Sequence, residues 1–244
     1  MLPRLQVSAI ASACDGYEVN GYRASGTLAT VAAIHTRVRT SVLALRHGES
    51  EWNAVGRWQG QADPPLTDAG MLQAVEASKL LGAFDGVYAS SLQRAANTAA
   101  ILAESLGIGP VQLLDDLMEN AFGPWQGLTI SEIEREWPGF LAEHRRPEGA
   151  EPIADVLHRT MRAMRTIAAE HRGREVLVVT HAGILRTLHR ELVTAKGGDA
   201  AASLRFANLG GCWFHVFEDG DVEIGDVVNL IELEPQRPVF GDAL

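Results

Sequence analysis

Two short apolar runs in this 244-residue chain each end on a histidine, and together they constrain the fold more than any other feature. Residues 42–45 lead into Arg46-His47-Gly48, and residues 175–180 lead into His181-Ala182-Gly183. A short apolar run without polar alternation reads as a strand covered on both faces, as in a parallel sheet between helices. In such sheets ligands collect beyond the carboxyl ends of the strands, where both imidazoles fall. His47 can there be a base, a nucleophile or a metal ligand, while Arg46 offers a planar fork of donors to phosphate or carboxylate. Gly48 lets backbone approach a ligand closely. Taken alone, the tripeptide favours the plainer reading of a surface arginine beside a hydrogen-bonded histidine.

The rest of the chain supplies the context. Thr67 can cap a helix over 67–82, followed by a strand over 85–89, a helix over 91–106 and a strand over 111–114. Ile153, Val156, Leu157, Met161, Met164, Ile167 and Ala168 share one face of a helix over 153–171, and a further helix over 183–192 follows His181. Residues 211–217 and 222–231, separated by Asp219-Gly220, read as a closing antiparallel pair. This alternation predicts an α/β domain with three α/β/α layers, a mostly parallel central sheet and helices on both faces. The predicted organisation is one domain over 41–244 behind an extension over 1–40. Asn20-Gly21 suggests a hairpin in that extension, with a flexible tail or a misassigned start as alternatives, and no function is assigned to it. Residues 131–136, Ser-Glu-Ile-Glu-Arg-Glu, read as the solvated face of a helix or as part of a cap over a site.

Composition narrows the class of partner. The apolar content of 46% is ordinary for a globular core, and 21 basic against 31 acidic side chains give a net charge of −10, which argues against nucleic acid. A small phosphorylated metabolite remains compatible, because Arg46, Arg57, Arg94, His47 and His181 would form a local positive pocket if they converged. Cys14 and Cys212 are too few for a disulfide framework or a thiolate zinc site, so a cytoplasmic setting is the simplest expectation. The eight histidines show no metal-ligand spacing and no apolar run suits a membrane span; neither metal, cofactor nor membrane is expected.

Further segments follow in order: Asn53, Arg57 and Gln59-Gly60; Asp63-Pro64-Pro65-Leu66-Thr67; Ser91-Leu92-Gln93-Arg94-Ala95 with Thr98-Ala99; Glu119, Phe122-Gly123-Pro124-Trp125-Gln126-Gly127; and Val178-Val179-Thr180-His181-Ala182-Gly183. The series, over about residues 41–230, resembles the histidine phosphatase superfamily, also called phosphoglycerate mutase-like. The resemblance implies a metal-independent phosphomonoesterase working through a phosphohistidine on His47. Arg46, Arg94 and His181 would donate to the phosphoryl oxygens, Asn53, Arg57, Gln59, Gly60 and Ala182 would help hold the phosphate, and Glu119 would be the proton donor. A solvated acidic loop is the alternative for Glu119, a surface salt bridge for Arg94 and a backbone-bonded strand-end residue for His181. Pro124, Gln126 and Gly149-Ala150-Glu151 depart from the usual family residues. A cofactor-dependent mutase is less favoured, because residues 120–180, 61 in all, lack its long basic, proline-rich insertion. A non-catalytic phosphate-ester binding module is a third reading. Natural substrate and oligomeric state stay open, a homodimer among the options.

Overall fold

The computed structural model describes residues 37–198 and 204–231, so the hairpin expected near Asn20 lies outside the described residues. The elements are β1 (Arg39–Arg46), α1 (Glu51–Ala54), α2 (Asp68–Ser78), β2 (Gly86–Ser90), α3 (Gln93–Leu106), β3 (Gln112–Leu114), α4 (Ile130–Glu136), α5 (Ile153–Glu170), β4 (Glu175–Thr180), α6 (Ala182–Ala195), β5 (Gly210–Phe217) and β6 (Val222–Asn229). They form one six-stranded sheet in the order β3-β2-β4-β1-β5-β6. Strands β3, β2, β4 and β1 run parallel, and β5 and β6 complete the sheet antiparallel to their neighbours.

Alternation along the strands explains the two covered faces. Val42 and Ala44 of β1, with Val176 and Val178 of β4, pack against Val156, Met164 and Ile167 of α5 and Ile184, Leu185 and Leu188 of α6. Leu43, Leu45, Leu177 and Val179 point the other way, against Ala77 of α2 and Ala95, Ala99 and Leu102 of α3. Residues 42–45 and 176–179 are therefore apolar at every position, which is why the sequence shows runs there instead of an alternation. The chain leaves β1 through α2 on one face and leaves β4 through α6 on the other, while β1 and β4 are neighbours. Their carboxyl ends thus flank a topological switch point, the place where an open α/β sheet forms a crevice.

Most of the expected elements are found, with adjustments at their ends. The helix capped by Thr67, whose side chain accepts from Gly70 N, stops at Ser78 and not near residue 82, because the backbone of Lys79, Leu80 and Leu81 closes tight turns on Glu76, Ala77 and Ser78. The 131–136 segment is a short helix with a Thr129–Glu132 capping box, and it is not purely solvated: Ile133 is fully buried. Ile133 joins Trp58, Phe122, Trp125 and Leu141 in a third apolar cluster, in which the Trp58 ring meets Phe122 and Trp125 edge-on at 4.8 and 5.3 Å.

One glycine is required by a close approach. A Cβ on Gly48 would lie 2.5 Å from the backbone oxygen of Gly70, and neither backbone can retreat easily. Gly48→Ala is expected to cost about 1–3 kcal/mol, as overpacking does, lowering the melting temperature by roughly 2–12 °C in a domain of this size. Calorimetry checks this; an unchanged melting temperature would show that the contact relaxes freely.

Candidate active site

Strand pairing sets the two histidines level with one another. Arg46 pairs with Thr180 in the β1–β4 register, and the His47 N–H extends the ladder by donating to Thr180 O at 3.0 Å. His47 and His181 are consequently buried side by side, their ring centroids 5.2 Å apart and their planes inclined by 62°. His47 Nδ1 lies 2.6 Å from Gly48 O. A carbonyl can only accept, so Nδ1 carries the proton of the neutral ring and Nε2 carries the lone pair. His47 O accepts from Asn208 Nδ2 at 2.9 Å, and the Gly48 N–H donates to Thr98 Oγ1 at 3.1 Å. The loop that carries His47 is therefore held from two distant segments.

His181 is fixed by Ser90, at the carboxyl end of β2. Ser90 Oγ lies 2.8 Å from His181 Nε2 and also accepts from the Leu92 N–H at 3.2 Å. In the tautomer with the imidazole proton on Nδ1, Nε2 accepts from the Ser90 hydroxyl. His181 Nδ1 is buried and has no hydrogen-bond partner among the described residues.

Two guanidinium groups are buried beside the histidines. Arg46 donates to Phe206 O at 2.8 Å, and Arg94 donates to Ala62 O at 2.7 Å and to Gly60 O at 2.8 Å. Burial, opposed mainly by Glu119 and Asp63, pushes Arg94 down to about 10, where it is still protonated at neutral pH. Around them, Asn53 caps α1 reciprocally with Ser50, Gln59 accepts from Ser50 Oγ at 2.9 Å, and Arg57 donates to Gly127 O and to Glu132 at 3.1 Å. Glu119 is 8% exposed; one carboxylate oxygen accepts from Asn120 N at 2.8 Å and the other from Gly183 N at 3.0 Å. Its loop is clamped by Arg159, which donates to the backbone oxygens of Asp116, Met118 and Glu119 and pairs with Glu151 at 2.7 Å.

Arg46, His47, Asn53, Arg57, Gln59, Gly60, Arg94, Glu119 and Ala182 all line one pocket, joined by Gly56, Trp58, Phe122 and Arg186. Every residue given a catalytic or phosphate-holding role from the sequence thus reaches this wall except His181, which sits fully buried against His47. Four arginines and one carboxylate face a single cavity in a chain of net charge −10, and Ala182 brings the amino-terminal end of the 14-residue helix α6 to its edge. The pocket suits a phosphoryl dianion. Ser90, Asn208, Arg159 and Arg186 were not assigned roles from the sequence. Ser90 could have been found from its place at the end of a strand, whereas nothing local marks the other three. Among the described residues no cluster of side chains suits a metal ion, and no helix is long and apolar enough to cross a membrane.

Both imidazoles titrate well below their ordinary range. For His47 the causes are burial first, then Arg94 and Arg46; for His181 they are burial, Arg94 and His47. Below the ordinary histidine value of about 6.5 and above the folded value, the unfolded chain binds more protons than the folded one. Stability therefore falls as pH drops through that window. Urea midpoints are expected to decline from pH 7 to 5, and His47→Asn with His181→Asn should flatten the decline; an equally steep decline in the double variant would contradict the burial argument.

The chain matches the histidine phosphatase superfamily (branch 1) over residues 42–224. It is 36% identical over 167 residues to the metal-independent phosphoserine phosphatase of Arabidopsis thaliana, covering 64% of this chain and 70% of that protein. It is 34% identical over 202 residues to a bifunctional protein of Mycobacterium tuberculosis, covering 70% of this chain but only 54%, about half, of that longer protein. The structure of a mycobacterial glucosyl-3-phosphoglycerate phosphatase complexed with VO3 superposes with a TM-score of 0.69 at 28% identity, covering 75% of this chain and 96% of that one. With two strand-end histidines, buried arginines and a bonded glutamate meeting at one switch point, and with this match across its strands and helices, the chain belongs to the histidine phosphatase superfamily.

Proposed function

We propose that the protein is a metal-independent phosphatase that hydrolyses a phosphomonoester of a small metabolite through a phosphohistidine on His47. The carrying observation is the Nδ1–H to Gly48 O bond, which leaves Nε2 of a neutral, buried imidazole as the free nucleophile in a cavity lined by arginines. Nε2 attacks phosphorus as the bond to the ester oxygen breaks, and Glu119 supplies the proton to the departing alkoxide. In the second half, Glu119 takes a proton from water as water attacks phosphorus, the P–N bond breaks, and the electron pair returns to His47. Arg46, Arg94 and the His181 Nδ1–H donate to the equatorial oxygens in both halves, with Asn53, Arg57, Gln59, Gly60 and Ala182 completing the enclosure. Donors held in place before the reaction need no reorganisation as charge spreads.

The phosphatase names of the Arabidopsis and mycobacterial relatives support hydrolysis. The missing basic insertion between Glu119 and His181 supports hydrolysis over mutase chemistry. A cytoplasmic setting, a 41–244 domain behind an extension and action on a small metabolite belong to the same reading. Steady phosphate release from p-nitrophenyl phosphate in EDTA tests it. Release that needs added metal would overturn the metal-independent mechanism, and efficient bisphosphate-stimulated interconversion of 3- and 2-phosphoglycerate would favour the mutase.

A further inference from the structure

Helix α6 begins without help from its own capping residue, because His181 stands at the N-cap and its side chain makes no cap bond. The Gly183 N–H, in the first turn, donates instead to Glu119 Oε2 at 3.0 Å, so the acid from a distant loop satisfies one of the unpaired amides that every helix start presents. Gly183 is buried within α6, and its φ lies outside the left-handed region. Its conformation therefore does not call for glycine, which weakens a helix relative to alanine. Its surroundings do. A Cβ at 183 would lie 2.4 Å from Glu119 Oε1, 2.8 Å from Asn120 Nδ2 and 3.0 Å from Glu119 Cδ. The backbone beneath Glu119 is pinned: Arg159 donates to Met118 O and Glu119 O at 2.6 and 3.1 Å, and Thr180 Oγ1, at the end of β4, donates to Leu117 O at 2.8 Å. A methyl group at 183 would consequently displace the carboxylate and leave the backbone where it is.

We propose that Gly183 is a positioning residue for proton transfer: lacking a side chain, it lets the Glu119 carboxylate sit against the first turn of α6, where the Gly183 and Asn120 N–H groups hold its two oxygens at the wall of the phosphate pocket. This rests on Glu119 being the acid of the phosphatase reading and names what sets that acid in place. The same two amides stabilise the carboxylate that remains once the proton has been given to the leaving group. Helix propensity is set aside at this one position for the geometry of the site, a local conflict of the kind that marks functional residues.

The test is Gly183→Ala, read on esters with good and poor leaving groups. It is expected to lower kcat/KM for glycerol 3-phosphate by about 10²-fold, chiefly through kcat, the scale of a small misplacement of a reacting group. The loss on p-nitrophenyl phosphate should be much smaller, and inhibition by inorganic phosphate should not change. Wild-type kinetics on glycerol 3-phosphate, an equal loss on both esters, or weakened phosphate inhibition overturns the positioning role. Glu119→Asp shortens the acid by one methylene and makes room for the methyl group, so Glu119→Asp with Gly183→Ala should lose less in kcat/KM than the product of the two single losses; a loss equal to that product or larger overturns it. Melting temperatures read the contact without turnover: Gly183→Ala should be more favourable in a Glu119→Ala background than in the wild-type protein, and equal shifts overturn the close approach. If Gly183→Ala alone does not fold, recovery of folding in the Glu119→Ala background upholds the contact and continued failure overturns it. If Glu119→Gln itself shows no dependence on leaving group, the acid reading fails; if it does and Gly183→Ala does not, the positioning role alone fails.

Discussion

His47→Ala is expected to lower kcat toward phosphomonoesters by at least about 10⁴-fold, the scale of removing a covalent nucleophile whose partners stay in place. The loss is large because the reaction path disappears along with the group: the other buried neutral imidazole, His181, has its Nε2 engaged by Ser90 Oγ. Burial and the neighbouring Arg94 and Arg46 keep the His47 ring uncharged, and Gly48 O holds the proton on the non-attacking nitrogen. Arg46 and Arg94 are anchored to the Phe206, Gly60 and Ala62 carbonyls and do not depend on His47. The variant should therefore still bind phosphate esters. Steady-state kinetics with circular dichroism as a fold check measures the effect, and a folded His47→Ala protein that kept its rate would remove the imidazole from the mechanism.

Glu119→Gln is expected to reduce kcat/KM for alkyl phosphates by about 10²–10⁴-fold, the usual range for a positioned general acid. The amide keeps the volume and one acceptor oxygen but cannot deliver a proton, so the defect should depend on the leaving group. Alkoxides need protonation far more than nitrophenolates do, so the loss should be much smaller on p-nitrophenyl phosphate. A series of phosphate esters of increasing leaving-group pKa would show a steeper dependence for the variant. Equal losses across the series would mean that Glu119 acts by position or charge, through its bonds to Gly183 N and Asn120 N, and not as the acid.

Local signals made most of the fold legible. Residues 42–45 and 175–180 appear as apolar runs because helices cover both faces of β1 and β4, and Thr67 marked its helix start because the hydroxyl bonds Gly70 N. The end of that helix was not legible, since the closing turns at Lys79, Leu80 and Leu81 have no glycine or proline to announce them. In the site, His47, Arg94 and Glu119 could be picked out because motifs carry their surroundings with them. Their supports could not: Asn208 reaches His47 O across 161 positions, and Arg159 clamps Glu119 O across 40. Such contacts exist only once the sheet order brings β4, α5 and the loop before β5 together. Ile133 shows the same limit, since a charged-looking segment buried one apolar residue against Trp58 and Trp125.

Rapid chemical quench with a ³²P-labelled phosphomonoester, followed by mapping of the labelled peptide, tests the phosphoenzyme most directly. The expected result is an acid-labile, base-stable label on His47 that forms within one turnover, decays as phosphate appears, and is missing from His47→Ala. Turnover without any protein-bound label, or a label on a different residue, would contradict it.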